Sequence, residues 1–233
     1  MDAASDWVVS GGRGALDFDG SNDYASTLQT AAVGARFSAF GWVRKTTTQS
    51  QVQIVGQYQT TTNQRAWQLI TSTSSLGGAA DGTQLGFIAS ADGTSTNSTL
   101  RGAFTSGTIS DGNWYHVGVV FNSGVISLYR NGIDETIVST LFTGTFTAPF
   151  STNAPWSIGA FNPNSGGAGF LLGQLDDIII FNTALTANEV REIYRLGRGY
   201  GVFPEPDFDE GFAAAGFKAY WARRQSQLIG GGV

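Results

Sequence analysis

The sequence predicts an all-β protein: a two-sheet antiparallel jelly-roll sandwich with one short C-terminal helix and an extended C-terminal arm. Three observations carry that expectation. Short apolar segments alternate with Gly-, Asn-, Asp- and Ser-rich turn signals along most of the chain. Charged residues make up only 13% of the 233 residues while Gly contributes 32, a composition suited to many strands with polar faces joined by tight turns. Helical spacing with a clear start signal occurs once, after Thr186.

The elements follow in order. Asp6–Val9 and Ala15–Asp19 read as early strands, and Phe37–Arg44 (FSAFGWVR) alternates large and small residues as a core strand does. Val52–Tyr58 is a strand between the exposed Thr/Gln-rich segments Thr46–Gln51 and Gln59–Gln64. Ala66–Ser72 and Gln84–Ala89 form another pair across the turn region Gly77–Gly82. Asn113–Phe121 and Val125–Arg130 make the clearest hairpin, and Asn131-Gly132 supplies a further tight turn because both residues tolerate positive φ. Glu135–Ser139, Trp156–Ala160 and Gly173–Phe181 complete the strands. Thr186-Ala187-Asn188-Glu189 is a capping box, and Val190, Ile193 and Tyr194 form the apolar stripe of a helix that ends near Gly197 or Gly199. The domain division expected is 1–198 for the sandwich and 199–233 for the arm, whose segment 204–210 is acidic and Pro-punctuated.

Composition removes several classes of function. A net charge of −5 disfavours nucleic acid, with Arg223–Arg224 the one obvious basic pair. The absence of cysteine excludes disulfides, thiolate catalysis and Cys-type zinc sites. The N-terminus has neither a basic segment nor a long apolar run, so it does not read as a signal peptide, and no stretch approaches the length of a membrane span. His116 stands alone as the single histidine, so there is no second one to build a triad or a zinc site. The adjacent pair Asp176-Asp177 faces opposite ways in a regular strand, and no glutamate lies in an alternating acidic strand, so a two-carboxylate glycosidase is not expected.

Four motifs in this order, ALDFDGSNDY, FSAFGWVR, DGNWYHVGVVFNSGVISLYRNG and GQLDDIIIFNTALTANEVREIY, resemble the laminin-G-like, pentraxin-like branch of the concanavalin A-like lectin/glucanase superfamily over about Ala15–Arg195. The resemblance implies two antiparallel sheets packed face to face, a packing place for His116 and, commonly, recognition of sugars, proteins or other surface ligands, often with calcium. The C-terminal KAYWARRQSQLIGGGV is similar to tails of proteins carried by bacteriophages.

Candidate sites follow from residue chemistry and from this resemblance. Asp19, Asn22 and Asp23 place hard oxygen ligands within one turn, as a structural Ca2+ would require. Asp176 is the distant partner that the resemblance favours, and regular alternation puts it on the face of Ile178 and Ile180. The alternative is that Asp19 and Asp23 cap the turn and Asp176 accepts backbone amides. Trp67, Trp156, Phe161, Asn162 and Asn164 are candidates for a sugar-binding surface, although a core place is the first reading of Trp67 and Trp156 and the stronger one for Trp42 and Trp114. In the arm, Phe212, Phe217, Tyr220 and Trp221 with Arg223 and Arg224 could dock into a partner, or the aromatic residues could fold back on the sandwich.

The function expected is a non-catalytic, lectin-like virion structural protein, a capsid-decoration or tail-associated module at the virion surface. Its expected partners are other virion proteins through the arm and cell-surface glycans, and an oligomeric or multivalent arrangement on the particle is expected. The alternative is a carbohydrate-binding or adhesion module of a bacterial surface or secreted protein.

Overall fold

The computed structural model describes residues 6–10, 13–27, 31–47, 49, 51–71, 82–96, 98–139, 144–162 and 165–197. The expected arm, 199–233, lies outside the described residues, as do Asn164, Phe212, Phe217, Tyr220, Trp221, Arg223 and Arg224.

Among the described residues fourteen strands form two seven-stranded antiparallel sheets, the two-sheet sandwich that the sequence predicted. The first sheet contains β1 (Trp7–Ser10), β2 (Arg13–Asp19), β4 (Arg36–Lys45), β9 (Tyr115–Asn122), β10 (Val125–Arg130), β11 (Ile133–Asp134) and β14 (Leu172–Phe181). The second contains β3 (Ala25–Ser26), β5 (Gln53–Gln59), β6 (Gln64–Thr71), β7 (Gln84–Ser90), β8 (Leu100–Thr108), β12 (Ile137–Ser139) and β13 (Ser157–Ile158). Spatial order is β1-β2-β14-β4-β9-β10-β11 in one and β12-β8-β7-β6-β5-β13-β3 in the other. The first and last long strands are therefore neighbours, with Leu172 opposite Asp19 and Leu175 opposite Leu16. Closure of the chain on itself in this way brings the β2 turn and the approach to β14 together.

Strand β8 was not anticipated. Its sequence, LRGAFTSGT, is rich in Gly, Ser and Thr and lacks a clear period-two signal, yet Leu100 and Ala103–Thr105 are buried by neighbouring elements. Tertiary burial overrides a weak local signal here.

Between the sheets lies one large core. Phe37, Trp67, Phe87 and Phe121 form its aromatic centre, with Phe37 and Trp67 ring centroids 4.9 Å apart and Phe37 and Phe121 5.4 Å apart. A buried charge sits at its margin. Lys45 is fully buried, donates from Nζ to the Gly82 carbonyl (2.8 Å), and lies 3.4 Å from Asp111 Oδ1.

The outer face of the first sheet carries helix α1 (Ala187–Gly197). Its capping box forms as expected: Thr186 N donates to Glu189 Oε2 (2.7 Å) and Glu189 N to Thr186 Oγ1 (3.3 Å). Val190 enters a small cluster with Phe40, Val120 and Tyr129. Ser38 fixes the connector leading to the helix, donating to Thr183 O and accepting from Leu185 N. His116 is packed as expected, stacked on Phe40 with a centroid separation of 5.5 Å. Trp42 is buried beneath the helix beside His116 and Tyr194, whereas Trp114 is only half-buried, because it precedes β9 rather than lying within it.

Both expected turns of the β9–β11 meander are two-residue connections with left-handed backbone: Ser123 and Gly124 have φ of 50° and 93°, and Asn131 and Gly132 have φ of 53° and 77°. Such turns match the twist of the strands they join. Asn131 also uses its side chain, accepting from His116 N at 3.0 Å.

Strand β14 departs from regular alternation. Asp176 pairs with Trp42 and Ile179 with Phe40, so one extra residue is accommodated, and Asp177 takes a φ of 48°. The expectation that Asp176 shares a face with Ile178 and Ile180 is thereby corrected. Asp176 lies on the Trp42–Phe40 face with Ile179, while Ile178 and Ile180 pack into the core between the sheets.

Candidate functional site

The segment Asp19–Tyr24 folds as a tight turn held by its own carboxylates. Asp19 Oδ1 accepts from Ser21 N (2.8 Å) and Asn22 N (3.2 Å), and Asp23 Oδ2 accepts from Asp19 N (3.0 Å). The two amide donors, Ser21 first and Asn22 second, hold the Asp19 carboxyl below its ordinary value of 3.8. A depressed folded value means that the contribution of this turn is present above pH 3.8 and is lost as pH falls through the lower folded value. An NMR titration of the Asp19 carboxyl is expected to give a midpoint below 3.8, and a midpoint at or above it would contradict the capping role.

Asp19, Asn22 and Asp23 thus come together, but Asp176 does not join them. Leu172 is the residue opposite Asp19, and Asp176 lies four residues further along β14, about 13 Å away at the ordinary strand rise. Asp176 instead accepts from Asp177 N at 2.8 Å within the bulge. The four expected calcium ligands do not fit a single coordination sphere. Among the described residues, no three His, Asp or Glu side chains form a group that could hold a metal ion.

Beside the turn runs the connection from β13 to β14. Gln49 joins the two: its Oε1 accepts from Leu172 N (2.6 Å) and its Nε2 donates to Phe170 O (3.1 Å), while the same amide lies 3.5 Å from the position a Gly20 side chain would occupy. Gly167, with φ of 78°, allows the close approach that follows. A Cβ there would lie 2.6 Å from the Phe170 ring and 3.4 Å from the Tyr24 ring. Tyr24 and Phe170 are therefore two half-buried rings that both approach the bare backbone of Gly167, near in sequence to the exposed Ser21 and Asn22.

The other end of the connection is tied to the β5–β6 turn. Asn162 takes a φ of 56°, accepts from Thr60 N at 2.6 Å and donates to Thr60 Oγ1 at 2.8 Å. Its own carbonyl accepts from Ser165 N and Gly167 N. Gln59 Nε2 reaches Thr61 Oγ1 and Ser165 Oγ, each at 2.7 Å, and those two hydroxyls lie 3.0 Å apart. Phe161 sits edge-on against Tyr58, with ring centroids 6.1 Å apart, and burial pushes the Tyr58 phenol up. Thr61, Thr62, Asn63, Ser165 and Gly166 are exposed at the β5–β6 end of this connection, and Tyr24 and Phe170 are half-buried at the other.

This geometry rearranges the expected ligand residues. Trp67 is fully buried against Phe37 and Phe87, so its ring has no face to offer a ligand. Trp156 is half-buried, edge-on to Trp67 at 5.6 Å, and donates from Nε1 to Ala31 O. Phe161 and Asn162 are buried and hold the loop rather than face outward. Tyr24 and Phe170 were not singled out from sequence. Tyr24 ends the ALDFDGSNDY motif, and only the juxtaposition across Gly167 marks it.

The sequence profile of a laminin-G-type family described as concanavalin A-like lectin/glucanases superfamily matches residues 19–191, about three quarters of the chain. The chain belongs to this superfamily. No curated protein sequence matches it. Solved structures of the superfamily fold are similar at low identity. Domain 4 of AbnA, an extracellular arabinanase from Geobacillus stearothermophilus solved with arabinotriose, is 16% identical, with a TM-score of 0.58 over 81% of this chain and 80% of that one. A SAP-like pentraxin from Limulus polyphemus is 17% identical, with a TM-score of 0.53 over 76% of this chain and 80% of the pentraxin. A putative carbohydrate-binding protein from Bacteroides ovatus is 15% identical, with a TM-score of 0.53 over 76% of this chain and 46% of that one. At these identities the likeness concerns the superfamily fold.

Proposed function

We propose that this chain is a non-catalytic glycan-recognition module that binds through the Tyr24–Phe170 rim and is displayed on a bacteriophage particle, as a capsid-decoration or tail-associated protein. The juxtaposed rings carry the reading. Two aromatic faces can cover the apolar face of a pyranose or furanose, and neighbouring hydroxyl and amide groups can take its hydroxyls. Membership of a lectin/glucanase superfamily supports it, as do the arabinotriose complex of the AbnA domain and the description of the Bacteroides protein. A non-catalytic role is supported by the carboxylates that the fold employs. Asp19 and Asp23 cap a turn, Glu135 pairs with Arg130 at 2.8 Å, and Glu189 caps the helix. Display on a particle supplies multivalency, which makes weak single-site contacts sufficient. The phage-like C-terminal sequence supports the virion placement.

A glycan array with the full chain tests the reading, run in calcium and again in chelator to decide whether the Asp19–Asp23 turn takes part through a cation. Tyr24→Ala and Phe170→Ala are each expected to weaken the selected glycan by about three- to tenfold, the range expected for one stacking ring. Binding unaffected by both would remove the rim from consideration. Detection of the chain in purified virions by mass spectrometry decides the placement. The second reading, a bacterial surface or secreted adhesion module, is favoured by the likeness to a domain of an extracellular arabinanase.

A further inference from the structure

Strand β1 forms one edge of the first sheet, and among the described residues no strand lies beyond it. Its ladder with β2 fixes which backbone groups point outward. Asp17 N donates to Asp6 O at 2.7 Å, so Asp6 and Asp17 form a hydrogen-bonded pair. Antiparallel pairs alternate between bonded and non-bonded. The register therefore makes Val8–Ala15 and Ser10–Arg13 bonded, and Trp7–Leu16 and Val9–Gly14 non-bonded. The N–H and C=O groups of Trp7 and Val9 consequently project away from β2.

The same two residues carry the most open apolar side chains of the strand, Trp7 at 61% and Val9 at 80% exposure. The Trp7 ring lies against Gly14, 3.4 Å from where a Cβ would stand, and leaves the rest of its surface to solvent. Natural sheet edges are ordinarily blunted by shortness, lysine, proline or a bulge, and of these β1 shows only its shortness, at four residues. The run Trp7-Val8-Val9-Ser10 has no charge and no proline, and its register with β2 is regular.

We propose that β1 pairs antiparallel with β1 of a second copy of this chain, about a twofold axis through Val8. Trp7 then lies opposite Val9 of the second copy, and Val9 opposite its Trp7. All outward groups of both residues are used, giving four N–H···O bonds. Both exposed side chains lie on the same face and cover each other. Asp6 falls opposite Ser10 of the other copy, so no like charges meet. A second copy is the occupant because the edge is complementary to itself, whereas it holds no charge that would select a foreign peptide. The two first sheets become one continuous fourteen-stranded sheet. This inference is independent of the glycan reading.

Sedimentation of the full chain over a range of concentrations is the test, with Val9→Pro as the variant. The Val9 N–H does not serve the β1–β2 ladder, so proline at this edge position leaves the intramolecular pairing intact. The expected result is a concentration-dependent dimer whose Kd rises about ten- to hundredfold in Val9→Pro, from the loss of two of the four bonds. A wild-type chain that stays monomeric throughout overturns the proposal, as does a dimer whose Kd the variant leaves unchanged. Should Val9→Pro fail to fold, amide exchange in the wild type decides. Trp7 and Val9 amides gain protection with concentration if the strands pair, and protection independent of concentration refutes it.

Discussion

Asn162→Ala is expected to lower stability by about 2–3 kcal/mol, a large effect for one loop residue. Two hydrogen bonds to Thr60 are lost, each contributing on the order of 1 kcal/mol, and one leaves the Thr60 amide without its acceptor. Alanine must also adopt the φ of 56° that Asn162 holds, at a further cost of about 1 kcal/mol. Asn162→Gly separates the two causes. Glycine accepts the backbone conformation but not the hydrogen bonds, so its loss is expected to be smaller by about 1 kcal/mol, less whatever freedom it adds to the unfolded chain. Urea denaturation of the three proteins reads the difference. Equal losses would assign the whole effect to the amide, and a change within about 0.5 kcal/mol for alanine would show that the loop is held by other contacts. Because the same connection carries Phe170 and Gly167, glycan affinity is expected to fall in both variants while the sandwich stays folded.

Trp67→Ala is expected to be more severe, at about 3–5 kcal/mol, which corresponds to a Tm lower by roughly 6–20 °C in a domain of this size. The indole fills the space between Phe37, Phe87 and Trp156, and no solvent-side movement can close the cavity. Trp67→Phe is expected to cost less than half as much. The Nε1–H it removes is buried without an acceptor among the described residues, so its loss carries no hydrogen-bond penalty. Calorimetry reads both changes. Trp67→Phe is expected to leave glycan affinity as it was, and a selective loss of binding with unchanged Tm would return Trp67 to the ligand surface.

The sandwich was legible because its signals are local and redundant. Alternation in FSAFGWVR and NWYHVGVVF, the Asn131-Gly132 turn and the Thr186–Glu189 capping box each concern neighbours in sequence, and each forms as read. Strand β8 was hidden, since its Gly- and Thr-rich pattern acquires meaning only when β7 and β12 flank it. The acidic turn was half legible. Spacing put Asp19, Asn22 and Asp23 together, but a single inserted residue in β14 turned Asp176 to the other face, and bulges leave little trace in composition.

The residues alone determined the class: a sparsely charged, cysteine-free, glycine-rich chain of period-two runs with a single helix that caps itself. Tertiary structure decided which rings are available. Trp67 is a better sugar platform than Tyr24 on paper, but sheet packing takes the tryptophan inside, while the closure of β14 on β2 brings Phe170 beside Tyr24. Burial depends on what arrives from distant parts of the chain, and no local pattern records that.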